Sequence, residues 1–120
     1  MHSDQQIKQW TPVCELGEIV PNTGVAALIG DQQVAIFHVI DRSQGEPQPR
    51  VFAIGNYDPN AQAAVLSRGL VGNLGERIVV ASPIYKHHFD LTTGQCLEEP
   101  ANSVPAWPAR IDEGKVWIGG

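Results

Sequence analysis

The sequence predicts an all-β domain, an antiparallel sandwich or barrel, and three observations lead there. The apolar runs are short and rich in β-branched residues. Gly, Pro, Asn and Asp separate them at regular intervals. The only windows compatible with a helix are brief. With 120 residues, 42% of them apolar, the chain can bury one core but not two. Residues 1–120 are therefore expected to form a single domain.

Taken in order, "CELGEI" (14–19) is the first helix-compatible window. "GVAALIG" (24–30) and "DQQVAIFHVI" (31–40) are apolar runs joined at Gly30–Asp31, a pair suited to a hairpin turn. "DRSQGEPQPR" (41–50) mixes Gly and Pro with polar residues and reads as a mobile loop. "VFAIGN" (51–56) is a strand, and "NAQAAVLSR" (60–68) is the second helix-compatible window. "RIVVAS" (77–82), "HHFDL" (87–91) and "KVWIG" (115–119) are further strands, the last closing a hairpin whose turn is Asp112–Gly114. The apolar members of these strands nominate Phe37, Phe52, Ile54, Val79, Phe89, Val116 and Ile118 for the core.

Composition excludes several functions. Net charge is −5, and the 8 Lys and Arg residues are spread thinly, which argues against binding a phosphate backbone. No apolar run approaches the roughly 20 residues needed to span a bilayer. The opening "MHSDQQIKQW" is polar, without a signal-peptide layout. A soluble, cytoplasmic protein is expected, with no nucleic-acid or membrane partner. Cys14 and Cys96 stand alone in the sequence and read as free, partly buried thiols in a reducing compartment.

Candidate chemistry concentrates in two segments, "NYDPNAQAAVLSRG" (56–69) and "SPIYKHHFDLTTG" (82–94), which would form a small loop subdomain over about 56–94. Leu66–Ser67–Arg68–Gly69 ends the first, and Phe89–Asp90–Leu91–Thr92–Thr93–Gly94 ends the second. Together they resemble the two cluster-binding loops of Rieske proteins, and the likeness extends over most of the chain. In that family each loop gives one Cys thiolate and one His imidazole to a [2Fe-2S] cluster. The resemblance implies a Rieske-like antiparallel fold. It also places Asp58 and Asn60 at the first pair of ligand positions and Ser82 and Tyr85 at the second. A hydroxyl or a neutral phenol is a poor substitute for a soft thiolate, so no metal and no cofactor is expected in this chain. Tyr85 is expected to fill the vacated volume, its hydroxyl reaching a partner such as Asp58 or a backbone carbonyl.

The histidines do not rebuild a site. His87 and His88 are adjacent and would face opposite sides of a strand. His38 lies in an apolar run and reads as a core histidine with one hydrogen bond, and His2 lies in the tail. Asp58 reads as an acceptor for loop N–H groups, and Asp90 as part of the strand motif. No triad, phosphate cradle or paired acid constellation is visible, so no catalytic residue is assigned.

Among Rieske-like proteins, "VLSRGL" (65–70), the preceding Asp58–Pro59 and "ASPIYKHHFDLTTGQC" most resemble the small subunits of assimilatory NAD(P)H-dependent nitrite reductases. That resemblance implies an oxidoreductase subunit in nitrate assimilation, where nitrite is reduced to ammonium. The flavin (FAD), iron–sulfur centre and sirohaem would belong to the partner, the large subunit. The expected contribution of this chain is docking, through the tip residues Tyr57, Pro59, Asn60, Ile84, Lys86 and His87. The alternative is a free-standing Rieske-derived binding module with no redox role. A divergent ferredoxin component of a ring oxygenase is disfavoured by the missing ligands.

Overall fold

The computed structural model describes residues 9–120, so His2 lies outside the described residues. The described residues form twelve strands: β1 Trp10–Glu15, β2 Thr23–Ile29, β3 Gln32–Asp41, β4 Gln48–Gly55, β5 Tyr57–Asp58, β6 Ala63–Ala64, β7 Leu70–Leu74, β8 Arg77–Ala81, β9 His88–Asp90, β10 Ala106–Trp107, β11 Ala109–Asp112 and β12 Lys115–Gly119. They build antiparallel sheets in the orders β1-β12-β11, β10-β4-β3-β2, β5-β6 and β7-β8-β9.

The β3–β4 pair is the centre, and both of its faces are covered. Ala35, Phe37 and Val39 with Phe52 and Ile54 face one cluster, completed by Leu66, Val80, Phe89, Leu91, Cys96 and Val104. The intervening Val34 and Ile36 with Val51 and Ala53 face the other, against Ile19, Val116 and Ile118. Alternation sends successive side chains to opposite faces. A strand buried on both faces therefore reads as an unbroken apolar run, as "VAIF" and "VFAI" do. All seven core nominees are buried.

The expected hairpins form. Two residues join β2 to β3, with Gly30 at φ 61°, and β11 turns into β12 through Glu113 (φ 54°) and Gly114 (φ 75°). Two expectations need correction, and two strands were not anticipated. The 41–50 loop is mostly hairpin: Asp41 pairs with Gln48 and Val39 with Arg50, so only 42–47 is turn. The Arg50 guanidinium rests over the Phe52 ring (4.8 Å) and bonds Asp41 at 3.1 Å, so polar residues there decorate a strand. Neither helix-compatible window becomes an α-helix. The first yields a single 3-10 turn at Leu16–Glu18 after β1, and the second yields β6 and a turn at Leu66–Arg68. Both are too short to repay nucleation, and Leu66 is drawn into the core. Finally, β1 and β7 escape sequence reading because Pro12, a register shift and Gly72 interrupt their strand pattern.

Candidate functional site: two loop tips joined by a hydrogen bond

The two loops rise from the ends of β4 and β8. Each turns the same way, with a backbone carbonyl accepting from the N–H four residues on: Asp58 O from Gln62 N at 2.7 Å, and Ser82 O from Lys86 N at 3.0 Å. Both closing residues are non-glycine at positive φ, Gln62 at 54° and Lys86 at 63°. Asn56, at the base of the first loop, ties it down: its Oδ1 accepts from Ser67 N at 2.8 Å, and its carbonyl accepts from Leu66 N at 3.1 Å.

Asp58 and Ser82 meet between the tips, both with 0% exposure. The Ser82 hydroxyl donates to Asp58 Oδ2 at 2.5 Å. Asp58 Oδ1 accepts from the Asn60 backbone N–H at 2.9 Å and from its side-chain amide at 3.3 Å. The same amide reaches Cys96 Sγ at 3.7 Å, while Asn60 Oδ1 accepts from Asn102 Nδ2 at 2.8 Å. The network thus runs from the second loop through the first to the segment after β9. A buried carboxylate is tolerated because its oxygens receive donors.

Tyr85 does not do what its size suggested. It is 62% exposed, and its turn carries the ring outward, leaving Ser82 to reach Asp58. The other tip residues divide. Tyr57 (51% exposed) and Ile84 (46%) stand out as large apolar groups with Lys86 beside them. Pro59, Asn60 and His87 are half-buried, and the Asn60 amide is occupied internally. His87 Nδ1 is enclosed without a hydrogen-bond partner. His88 leaves the tip: its backbone N–H and Nδ1 donate to Glu98 at 2.8 and 2.6 Å. His38 is buried on β3, its Nδ1 donating to Ile19 O at 2.8 Å while Nε2 has no partner. Asp90 accepts from Thr92 N (2.7 Å) and Thr93 N (3.1 Å) and pairs with Arg77 at 3.2 Å. It closes the turn that ends the second segment. Gly94 completes that turn at φ 81°, where a Cβ would lie 2.1 Å from Val104 O.

These residues do not fit a [2Fe-2S] cluster. The four positions offer carboxylate, amide, hydroxyl and phenol, none of them the thiolate or imidazole such clusters take. The Asp58 and Ser82 side chains are instead in direct contact with each other. Among the described residues no group of three or more His, Cys, Asp or Glu side chains converges as a metal site. Cys96 and Asn102 were missed as members of the network. They lie 36 and 42 residues from Asn60, and no local spacing joins them.

Comparison with known proteins agrees with this scaffold. The Rieske-like [2Fe-2S] domain family matches residues 9–119. Over 114 residues the chain is 42% identical to the nitrite reductase (NADH) small subunit of Escherichia coli (strain K12), covering 95% of this chain and 100% of that one. It is 36% identical over 112 residues to the nitrite reductase [NAD(P)H] large subunit of Klebsiella oxytoca, covering 93% of this chain but 11% of that one. The solution structure of the nitrite reductase [NAD(P)H] small subunit from Erwinia carotovora superposes with a TM-score of 0.73 at 45% identity, covering 95% of this chain and 83% of that one. The chain belongs to the Rieske-like domain family, among its nitrite reductase small subunits.

Proposed function

We propose that this chain is a metal-free accessory subunit of a cytoplasmic NAD(P)H-dependent nitrite reductase, and that it acts by docking to the catalytic large subunit. The observation that carries the reading is the Klebsiella oxytoca relative. There a segment similar to nearly this whole chain occupies 11% of a large-subunit polypeptide, whereas in Escherichia coli the similar protein is a separate small subunit. A domain found both fused and separate has a natural partner in the polypeptide to which it is elsewhere joined. The flavin, iron–sulfur and sirohaem chemistry is assigned to that partner, since the tip residues here are poor donors for a cluster. No helix among the described residues is long and apolar enough to cross a membrane.

The docking face we assign is the pair of tips, where Tyr57, Pro59, Ile84, Lys86 and His87 combine aromatic, apolar and single polar groups. Co-expression with the large subunit and purification through a tag on this chain tests the assembly. Ile84→Glu and Tyr57→Glu should each weaken association by at least about 2 kcal/mol where the residue is a hot spot. The monomer should stay within about ±0.5 kcal/mol of wild-type stability. Equal recovery of the large subunit and equal nitrite-dependent NADH oxidation in both variants would move the docking surface elsewhere.

A further inference from the structure

We infer that Lys86 is the electrostatic anchor of the docking contact and that the surface it meets on the nitrite reductase large subunit is acidic. This rests on the docking reading above and deepens it. Backbone conformation gives the first reason. Lys86 sits at φ 63°, in the left-handed region where a Cβ is penalised and glycine is not. The turn enforces that conformation: Ser82 O holds Lys86 N–H at 3.0 Å, His87 O holds Ser82 N–H at 2.9 Å, and the Ser82 hydroxyl is locked on Asp58. A glycine would satisfy every one of these bonds without strain. The turn's bonds do not call for a lysine, since the equivalent turn of the first loop closes on Gln62, so the side chain here is left to what the exposed tip meets.

Charge gives the second reason. Lys86 is exposed. Among the described residues the ion pairs are Arg50–Asp41, Arg77–Asp90 and His88–Glu98, and Lys86 takes part in none. Within 56–69 and 82–87 the exposed charges are Arg68 and Lys86, both cationic, and the sole carboxylate, Asp58, is buried. A chain of net charge −5 thus carries a cationic point at its tips, set among the exposed Ile84, Tyr85 and Tyr57. Its complement is a carboxylate-bearing surface with apolar relief around it. Such pairing sets orientation and encounter rate more than affinity alone.

The test measures association of the full chain with the purified large subunit across a salt series, beside the melting temperature of each variant. Wild-type affinity should fall as salt rises. Lys86→Gly should melt at or above the wild-type temperature, yet bind at least tenfold more weakly with a flattened salt dependence. Lys86→Arg should retain both affinity and salt response. If Lys86→Gly binds like wild type while Ile84→Glu does not, docking stands and the anchor is overturned. A marked fall in melting temperature for Lys86→Gly would give the lysine a fold role and overturn it too. Failure of the wild-type chain to bind would end the subunit reading and this one together. Sedimentation of the chain alone covers the remaining occupant: a dimer dissolved by Lys86→Gly would assign the face to a second copy.

Discussion

Asp58 and Ser82, which the sequence resemblance aligns with ligands from two loops, meet between the tips, and one short hydrogen bond couples them. Removing the donor should cost more than the bond's net contribution, because it strands a buried carboxylate oxygen. Ser82→Ala is expected to lower stability by about 1–3 kcal/mol, read from urea unfolding. Tyr85→Ala, on an exposed side chain, should stay within about ±0.5 kcal/mol. The opposite ranking would return the coupling to the tyrosine. Both positions were singled out in the sequence by the resemblance to Rieske loops. Their mutual contact was not, since 24 residues separate them and side-chain volume alone favoured Tyr85. Cys14 carries a different expectation. Burial holds its thiol above the ordinary range, and the Glu18 and Glu15 carboxylates push it the same way. At pH 7 its alkylation by iodoacetamide should be slower than that of free cysteine, and faster alkylation would refute the assignment.

At the scale of elements, the segment after β9 is fastened by bonds that no periodicity announces. Glu98 spans the His88 backbone N–H and ring, while Val104 N reaches Gly94 O at 2.9 Å. Partial burial raises the Glu98 pKa, but the hydrogen bonds from His88 outweigh it, so the group titrates below the usual glutamate range. A depressed carboxyl pKa gives stability that is present above the unfolded value and lost as pH falls through the folded one. Glu98→Gln should therefore lower stability slightly at neutral pH, since an exposed pair contributes little, and the two proteins should converge as pH falls below the ordinary glutamate range. An unaltered acid limb would show that this contact does not contribute. Elements rich in local signal were readable: the Gly30–Asp31 hairpin, the Asp112–Gly114 turn and the doubly buried β3–β4 pair. Those defined by pairing alone were not. β5, β6 and β10 are two residues each, below the length at which alternation can be seen, and β1 hides its strand behind Pro12.

The whole molecule is a central sheet clad on both faces, with its two loops standing at one end. Clustered burial behind the tips (Leu66, Val80, Phe89 and Cys96) gives them a rigid base, and the Asp58–Ser82 bond ties them to each other. Such a face suits assembly, because pre-ordered loops lose little entropy on docking. This Rieske-like scaffold is proposed to keep its tip geometry by hydrogen bonding and not by a metal cluster. The measurement that tests this most directly is the iron and acid-labile sulfide content of the chain, purified and then reconstituted anaerobically with both. A colourless protein that retains neither and lacks visible charge-transfer absorption is expected. Stoichiometric iron and sulfide held by the folded monomer would contradict it.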